Sequence, residues 1–391
     1  FINDMQKQFF FILLASLLTT SGFAQEKFAI TGGPYLQGAT ENEVTVVWTT
    51  NQKAVSWVEL APNDENHFYA EARPQFYETN FGRKVIGTLH KVRVYGLEKG
   101  TTYRYRIYSK EVTDDEPYFT GYGKVVASDV YQKTPLTFKT LDVSRQSLHF
   151  AMVNDIHADS KRFASLMNQT DLKSLDFVLF NGDMVSSMES EKQIFDGFLT
   201  QAVQSFAKEL PFFFARGNHE ARGLFSTEYI RYFPTPTGQP FYTFRQGPAF
   251  FVVLDAGEDK PDSDIEYHGL SAFDQYREAE TEWLKKVLDS EEFKQAPVKI
   301  VIMHVPPTSS TWHGSLEVNR LFLPLLNRAG IHLMLSGHLH QHIYTPKGEG
   351  NCNFPILINS NMHIADIQIE NKTITIRIKD VEGKLFKEIK L

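Results

Sequence analysis

Two hydrophobic rhythms divide the chain. From Phe28 to about Thr140, apolar residues fall in short β-rich runs at 44–48, 56–60, 90–94, 102–108 and 136–140. In the last run Leu136 and Phe138 alternate with Thr137 and Lys139, as a strand with one buried face requires. Turn residues such as Leu97-Glu98-Lys99-Gly100 separate the runs, and the spacing predicts an all-β sandwich. A mostly polar stretch, Asp142-Val143-Ser144-Arg145-Gln146, follows, and the rhythm changes. Strands are expected to end near Asn154, Asn181, Ala215, Asp255, His304 and Ser336, with helices at 160–173, 189–209, 275–290 and 316–329 between them. In the third helix Ala279, Trp283 and Val287 recur every four residues beside Leu284 and Leu288, which gives one apolar face. Pro324 is expected to kink or break the fourth. Alternation of this kind indicates an α/β domain, closed by two more strands at 365–370 and 373–379.

The first residues follow neither rhythm. Met5 and Lys7 precede an apolar run at 9–18, and small or polar residues lead to Gly22-Phe23-Ala24. This is the pattern of a cleaved secretory signal, and the run is too short for a stable membrane-spanning helix. The expected organisation is a targeting segment over residues 1–24, a sandwich over 25–141 and an α/β domain over 142–391. The expected location is the periplasm or outside the cell, in a bacterium.

Composition narrows the function further. A formal net charge of -7 argues against a nucleic-acid footprint, which needs basic stripes. It leaves a phosphate ligand open, because bound metal ions change the local charge. Cys352 is the single cysteine, so no internal disulfide can form, and nothing beside it marks it as a nucleophile. No Gly-x-Ser-x-Gly elbow is present, which sets a serine hydrolase aside.

The chemistry lies at the expected strand ends. Five clusters stand there: Asp155-Ile156-His157, Gly182-Asp183, Gly217-Asn218-His219-Glu220, His304, and Gly337-His338-Leu339-His340. Open α/β sheets bind ligands at the carboxyl ends of their strands, so one edge would gather these residues. Carboxylate, amide and imidazole donors without thiolate suit first-row di- or trivalent metals. Each cluster alone has a plain reading: Asp155 as a helix cap, Gly182-Asp183 and Gly217-Asn218 as turns, His304 as a core histidine. Five together, in order, are hard to assign to turns.

In that order the clusters resemble the calcineurin-like metallophosphoesterase superfamily over about residues 148–345. With the sandwich ahead, the whole resembles secreted purple acid phosphatases, and residues 97–108 resemble the late hairpin of a fibronectin type III-like domain. The resemblance implies a layered αββα catalytic domain with two metal ions, manganese, zinc or iron. It implies one ion on Asp155, His157, Asp183 and His340, and another on Asp183, Asn218, His304 and His338. It implies phosphomonoester hydrolysis by a hydroxide shared between the ions. His219 would be the general acid, with Glu220 orienting its ring. The chain departs from purple acid phosphatases at Ser186, where they carry an iron-binding tyrosine, and at His157, where they carry glycine. A colourless enzyme is expected.

Substrate contacts are open to two readings each. Arg216 and Arg222 flank the Gly217-Asn218-His219 cluster and could clamp a phosphate or serve salt bridges. By analogy with purple acid phosphatases His313 could face the substrate, or it could be a solvated loop residue. Trp312 could line a pocket or cover the core. The acidic stretch 255–262 receives no role. The expected partner is a small phosphorylated molecule. A phosphodiester or nucleotide substrate, or a catalytically silent binding protein, are the alternatives.

Overall fold

The structure, a computed structural model, describes residues 26–308 and 310–391. The expected targeting segment lies outside the described residues. No described helix is long and apolar enough to cross a membrane.

One long strand, Glu43–Pro62, is the spine of the N-terminal domain. Its first half pairs with Ile30–Gln37 and Ile86–Tyr95, its second half with Gln75–Tyr77 and Thr102–Glu116. The runs at 44–48 and 56–60, expected as separate strands, are therefore one. The polar Asn51-Gln52-Lys53 between them marks a register shift between Thr49 and Ala54, and not a turn. Such an irregularity lets one strand serve two layers. Val44, Val46, Trp48, Val58 and Leu60 point into the core with Tyr105 and Ile107. The buried Trp48 indole donates to Ser109 Oγ at 2.9 Å, so no polar atom of the ring is stranded.

The second domain carries two six-stranded sheets face to face. The first runs Phe212–Ala215, Phe177–Asn181, Ser147–Val153, His363–Glu370, Thr373–Asp380, Leu385–Lys390. The second runs Tyr242–Gln246, Ala249–Leu254, Val298–Met303, Leu333–Ser336, Ile356–Ile358, Ile343–Thr345. The first three strands of the first sheet are parallel, as are the four central strands of the second. Alternation along Ser147–Val153 sends Phe150 and Met152 between the sheets, and Ala151 and Val153 towards the helices. Between the sheets the Phe177 ring meets Phe150, Phe213, Phe244 and Phe251, three of them edge to face. Helices cover both outer faces, completing the αββα order.

The third expected helix is present at full length as Phe273–Asp289, and the others are shorter or broken. Ser160–Met167 stops before Asn168, and Asp171 caps a separate 3-10 turn at Leu172–Ser174. Pro324 breaks the last helix into His313–Leu321 and Leu323–Leu326. In the second, α turns at Glu191–Ile194 and Thr200–Ala202 alternate with π turns at Phe195–Leu199 and Val203–Ala207. A Cβ on Gly197 in this helix would lie 3.2 Å from Ala158 Cβ, so the helix packs directly on the loop after Asp155. The sandwich is fastened to the same region: Tyr35 Oη donates to Tyr232 O at 2.8 Å, and Tyr105 Oη to Lys208 O at 2.6 Å.

Candidate metal centre

Each parallel strand delivers its next residues to one edge. Val153 is followed by Asn154 and Asp155, Asn181 by Gly182 and Asp183, Ala215 by Arg216 to His219, Met303 by His304, and Ser336 by Gly337 and His338. The chain there takes an uncommon conformation. Asp155, His157, Ala158, Asp183, His338 and His340 all have positive φ, between 49° and 71°. Left-handed backbone costs an L-residue about 1–2 kcal/mol, and here it turns successive side chains into one space. The Arg162 guanidinium pins the first loop by donating to Asp155 O at 3.0 Å and Ile156 O at 2.6 Å. The glycines are needed for close approach. A Cβ on Gly182 would lie 2.3 Å from His304 Nδ1, and one on Gly217 would lie 2.2 Å from Asp183 Oδ1.

The gathered atoms are close. His304 Nε2 lies 3.1 Å from Asp183 Oδ2 and 3.8 Å from Asp155 Oδ1. His340 Nε2 lies 3.2 Å from Asp155 Oδ1 and 3.0 Å from His157 Nε2. His338 Nδ1 is 3.1 Å from Asn218 Oδ1. Three ligand groups emerge: Asp155, His157 and His340; Asp183, His304 and His338; and His157, Asp183 and His219. Asp155, Asp183 and His304 form a buried floor, and the His340 side chain is 48% exposed at the rim.

Electrostatics mark a site built for cations. Burial alone would raise Asp183, but the charges of His304 and His219 hold its carboxyl well below the usual range. Burial would lower His304, yet Asp183 and Asp155 push it up to about 10. His338 is pulled down to about 4 by burial and by His304, which leaves its lone pair free. Asp155 Oδ1 and His304 Nε2 are buried without a well-aligned hydrogen bond, although His340 Nε2 faces the first at 3.2 Å and Asp183 Oδ2 the second at 3.1 Å. Unpaired buried donors and acceptors are expensive, and a cation coordinated by both removes the cost. The donor set fits a metal cation.

Asn154 and Asn359 support the floor. Asn154 Nδ2 donates to Asp155 Oδ2 at 2.6 Å and to Asn359 O, and Asn359 Nδ2 returns a bond to Asn154 Oδ1. Sequence reasoning missed Asn359, although it follows the buried strand Ile356–Ile358 at the same sheet edge.

His219 and its neighbours are arranged differently from expectation. Its Nδ1–H donates to Ser186 O at 2.7 Å, and its Nε2 faces Asp183 Oδ2 at 3.8 Å and Arg222 Nη1 at 3.3 Å. Glu220 does not touch the ring. Its buried carboxylate accepts from the backbone N–H groups of Asp183, Met184, Val185 and Gly217 at 2.7–3.2 Å. Burial and the nearby Asp183 charge push it up to about 7. The reason is geometric: the 3-10 turn His219–Ala221 sends adjacent side chains in different directions.

The expected substrate contacts are also taken. Arg216 is buried against Asp255, at 2.9 Å from Nε and 2.6 Å from Nη2, so it is not free to clamp a phosphate. His313 Nε2 pairs with Asp274 Oδ1 at 2.7 Å, and Trp312 stands over His338 instead, with ring centroids 5.8 Å apart. The acidic stretch acquires a part. Asp255 holds Arg216, Glu258 and Asp259 hold Arg222, and the Ala256 and Glu258 carbonyls accept from Arg277.

Two mixed sheets whose parallel strands carry imidazole and carboxylate donors on one edge define a metallohydrolase-type α/β domain. Residues 148–342 form a calcineurin-like phosphoesterase domain by match to that family model, and residues 34–133 match the purple acid phosphatase N-terminal domain. The chain is similar to the mouse (Mus musculus) serine/threonine-protein phosphatase CPPED1, with 26% identity over 177 residues. That match covers 42% of this chain, and the chain spans about half, 54%, of the mouse protein. It is also similar to purple acid phosphatase 18 of Arabidopsis thaliana, 23% identical over 328 residues, 79% of this chain and 65% of the plant protein.

Proposed function

We propose that the protein is an exported, metal-dependent phosphoesterase that cleaves phosphomonoesters. The observation that carries this reading is the convergence of Asp155, His157, Asp183, Asn218, His304, His338 and His340 on one space, with the buried Asp155 Oδ1 and His304 Nε2 left without well-aligned hydrogen bonds. The calcineurin-like phosphoesterase match over residues 148–342, and the phosphatase names of both relatives, support a phosphate ester as the bond broken. The apolar run at 9–18 supports export.

Asp155, His157, Asp183 and His340 would hold one ion, and Asp183, Asn218, His304 and His338 the other. When bound, such a pair supplies Lewis-acid charge for the phosphoryl oxygens and a water acidic enough to attack at neutral pH. Manganese, zinc and iron all suit these donors. The rest falls to the chain. Asp183 sits between the two ligand groups and fixes their spacing. His219 is held at Nδ1 by Ser186 O, so the proton for the leaving oxygen is carried at Nε2, the atom that faces the site. When Nε2 is protonated, Arg222 gives up its contact there and remains on Glu258 and Asp259. Glu220 keeps the Asp183 loop in its left-handed form.

The test is a pair of rates on an aryl phosphate monoester and the matching diester, with protein loaded with manganese, zinc or iron. A monoester preference that falls by about 10²–10⁴ in His219→Ala supports the reading. A diester preference moves it to a phosphodiesterase. No rate on either, with metal bound, favours a binding role.

A further inference from the structure

We infer that the substrate's leaving group is an uncharged aromatic alcohol, received by a groove that opens beside His219. This rests on the reading of His219 as the proton donor. The groove has a volume of about 1280 Å³. That exceeds the usual small-ligand range of about 300–1,000 Å³ and leaves room for far more than a phosphoryl group, which the ligand cluster itself would bind. It adjoins the site at Arg222, which lines it and lies 3.3 Å from His219 Nε2, and Ser187 and Ala221, close to His219 in the fold, line it too. The groove therefore lies one arginine side chain away from the atom that would protonate the departing oxygen.

Its walls state what it accepts. Tyr267, Phe273 and Tyr276 line one side as a run of edge-on rings, with centroids 6.3 Å and 6.4 Å apart. Leu224 and Leu270 add large apolar side chains that are 89% and 84% exposed. Exposed leucines flanking an aromatic wall suit a flat apolar group. The charges point the same way. Both arginines in the lining are already paired, Arg216 with Asp255 and Arg222 with Glu258 and Asp259. Of the lining glutamates, Glu258 is one of those partners and Glu266 is paired with Lys260, which leaves Glu189 without an ion pair among the described residues. A leaving group with its own phosphate or carboxylate would find no free guanidinium in this lining.

The experiment compares metal-loaded protein on 2-naphthyl, phenyl and 4-carboxyphenyl phosphate, whose phenols differ little in acidity. It also follows binding of the non-hydrolysable 2-naphthylmethylphosphonate by fluorescence. The expected order of kcat/KM is naphthyl, phenyl, carboxyphenyl, with about tenfold between successive members, the scale on which an apolar pocket discriminates. In the exposed double variant Leu224→Asp/Leu270→Asp, naphthyl kcat/KM falls more than phenyl, through KM, and the phosphonate binds about tenfold more weakly. Equal kcat/KM for all three esters, or unchanged phosphonate affinity in the variant, overturns the inference. Phosphonate binding that depends on the two leucines, with no ester turned over, overturns the phosphatase reading and leaves the groove's preference standing.

Discussion

Glu220 accepts a hydrogen bond from the backbone N–H of Asp183 at 2.8 Å, so the carboxylate beside His219 in sequence fixes the neighbouring loop and not the imidazole. Three further N–H groups, of Met184, Val185 and Gly217, end on the same two oxygens. Glu220→Gln would turn one of those acceptors into a donor facing other donors. The expected loss of stability is about 1–3 kcal/mol, and metal affinity should fall about 10–100-fold, as when a ligand's support is removed. Thermal unfolding and calorimetric titration with zinc or manganese measure both. Unaltered affinity with only the rate–pH profile displaced would restore a ring-orienting role.

Arg216 was a candidate phosphate clamp, and its surroundings make it a structural ion. Burial would lower its pKa, but the Asp255 charge beneath it more than compensates, and the Tyr276 ring lies 5.7 Å from the guanidinium. Arg216→Met strands the Asp255 carboxylate in the interior. Breaking a buried pair from one side costs about 3–5 kcal/mol. The double change Arg216→Met/Asp255→Asn should recover a large part of that, because no lone charge remains. Urea unfolding of the three proteins tests this. A KM increase of tenfold or more in the single variant, without loss of stability, would return Arg216 to substrate binding.

These two residues show where sequence reading stops. Asp155, His157, Asp183, His304, His338 and His340 were legible because each sits at the end of a buried strand, and strand ends share one edge of the sheet. The roles of Arg216, Glu220 and His313 depend on partners brought close only by the fold: Asp255, the backbone of Asp183, and Asp274. A sequence shows the charge and not its neighbour. Strand positions behaved alike. The fully buried Phe177–Asn181 and the mostly buried Val298–Met303 announced themselves by apolar runs. The edge strand Leu385–Lys390 went unread because its first four residues are exposed and the pattern carries little apolar signal. The spine Glu43–Pro62 was divided because Asn51-Gln52-Lys53 looks like a turn when the strand's irregularity is not visible.

Ser186 bears on colour. Its Oγ lies 3.4 Å from His157 O, and its carbonyl holds His219 Nδ1. The position where an iron-binding phenol would enter is thus a hydroxymethyl group beside His157. Ferric-loaded protein should show no tyrosinate-to-iron charge-transfer band in its visible spectrum. Ser186→Tyr sets a phenol beside the His157 side of the cluster and should introduce such a band. A band in the unsubstituted protein would mean that another tyrosine reaches the metal.

The sandwich should have an acid weakness of its own, centred on His90. The ring is 3% exposed, packs against Trp48 with centroids 5.4 Å apart, and lies with Nε2 2.9 Å from Thr50 Oγ1. The Thr50 hydroxyl donates to Gln52 O, so Nε2 carries the hydrogen and the ring is neutral. Burial pulls its pKa down from 6.5 to about 4. A base with a depressed folded pKa binds its proton more readily when unfolded. The stability it preserves is therefore fully present above pH 6.5 and is lost progressively as pH falls towards 4. Between roughly pH 7 and 5 this one group should remove about 2 kcal/mol. His90→Gln keeps a donor for Thr50 and cannot take up a proton. Urea unfolding of both proteins at the two pH values should show the wild type losing about 2 kcal/mol more than the variant, against a common background from the remaining titrating groups. Parallel losses would mean that His90 is already protonated in the fold, with its second proton satisfied by a partner other than Thr50.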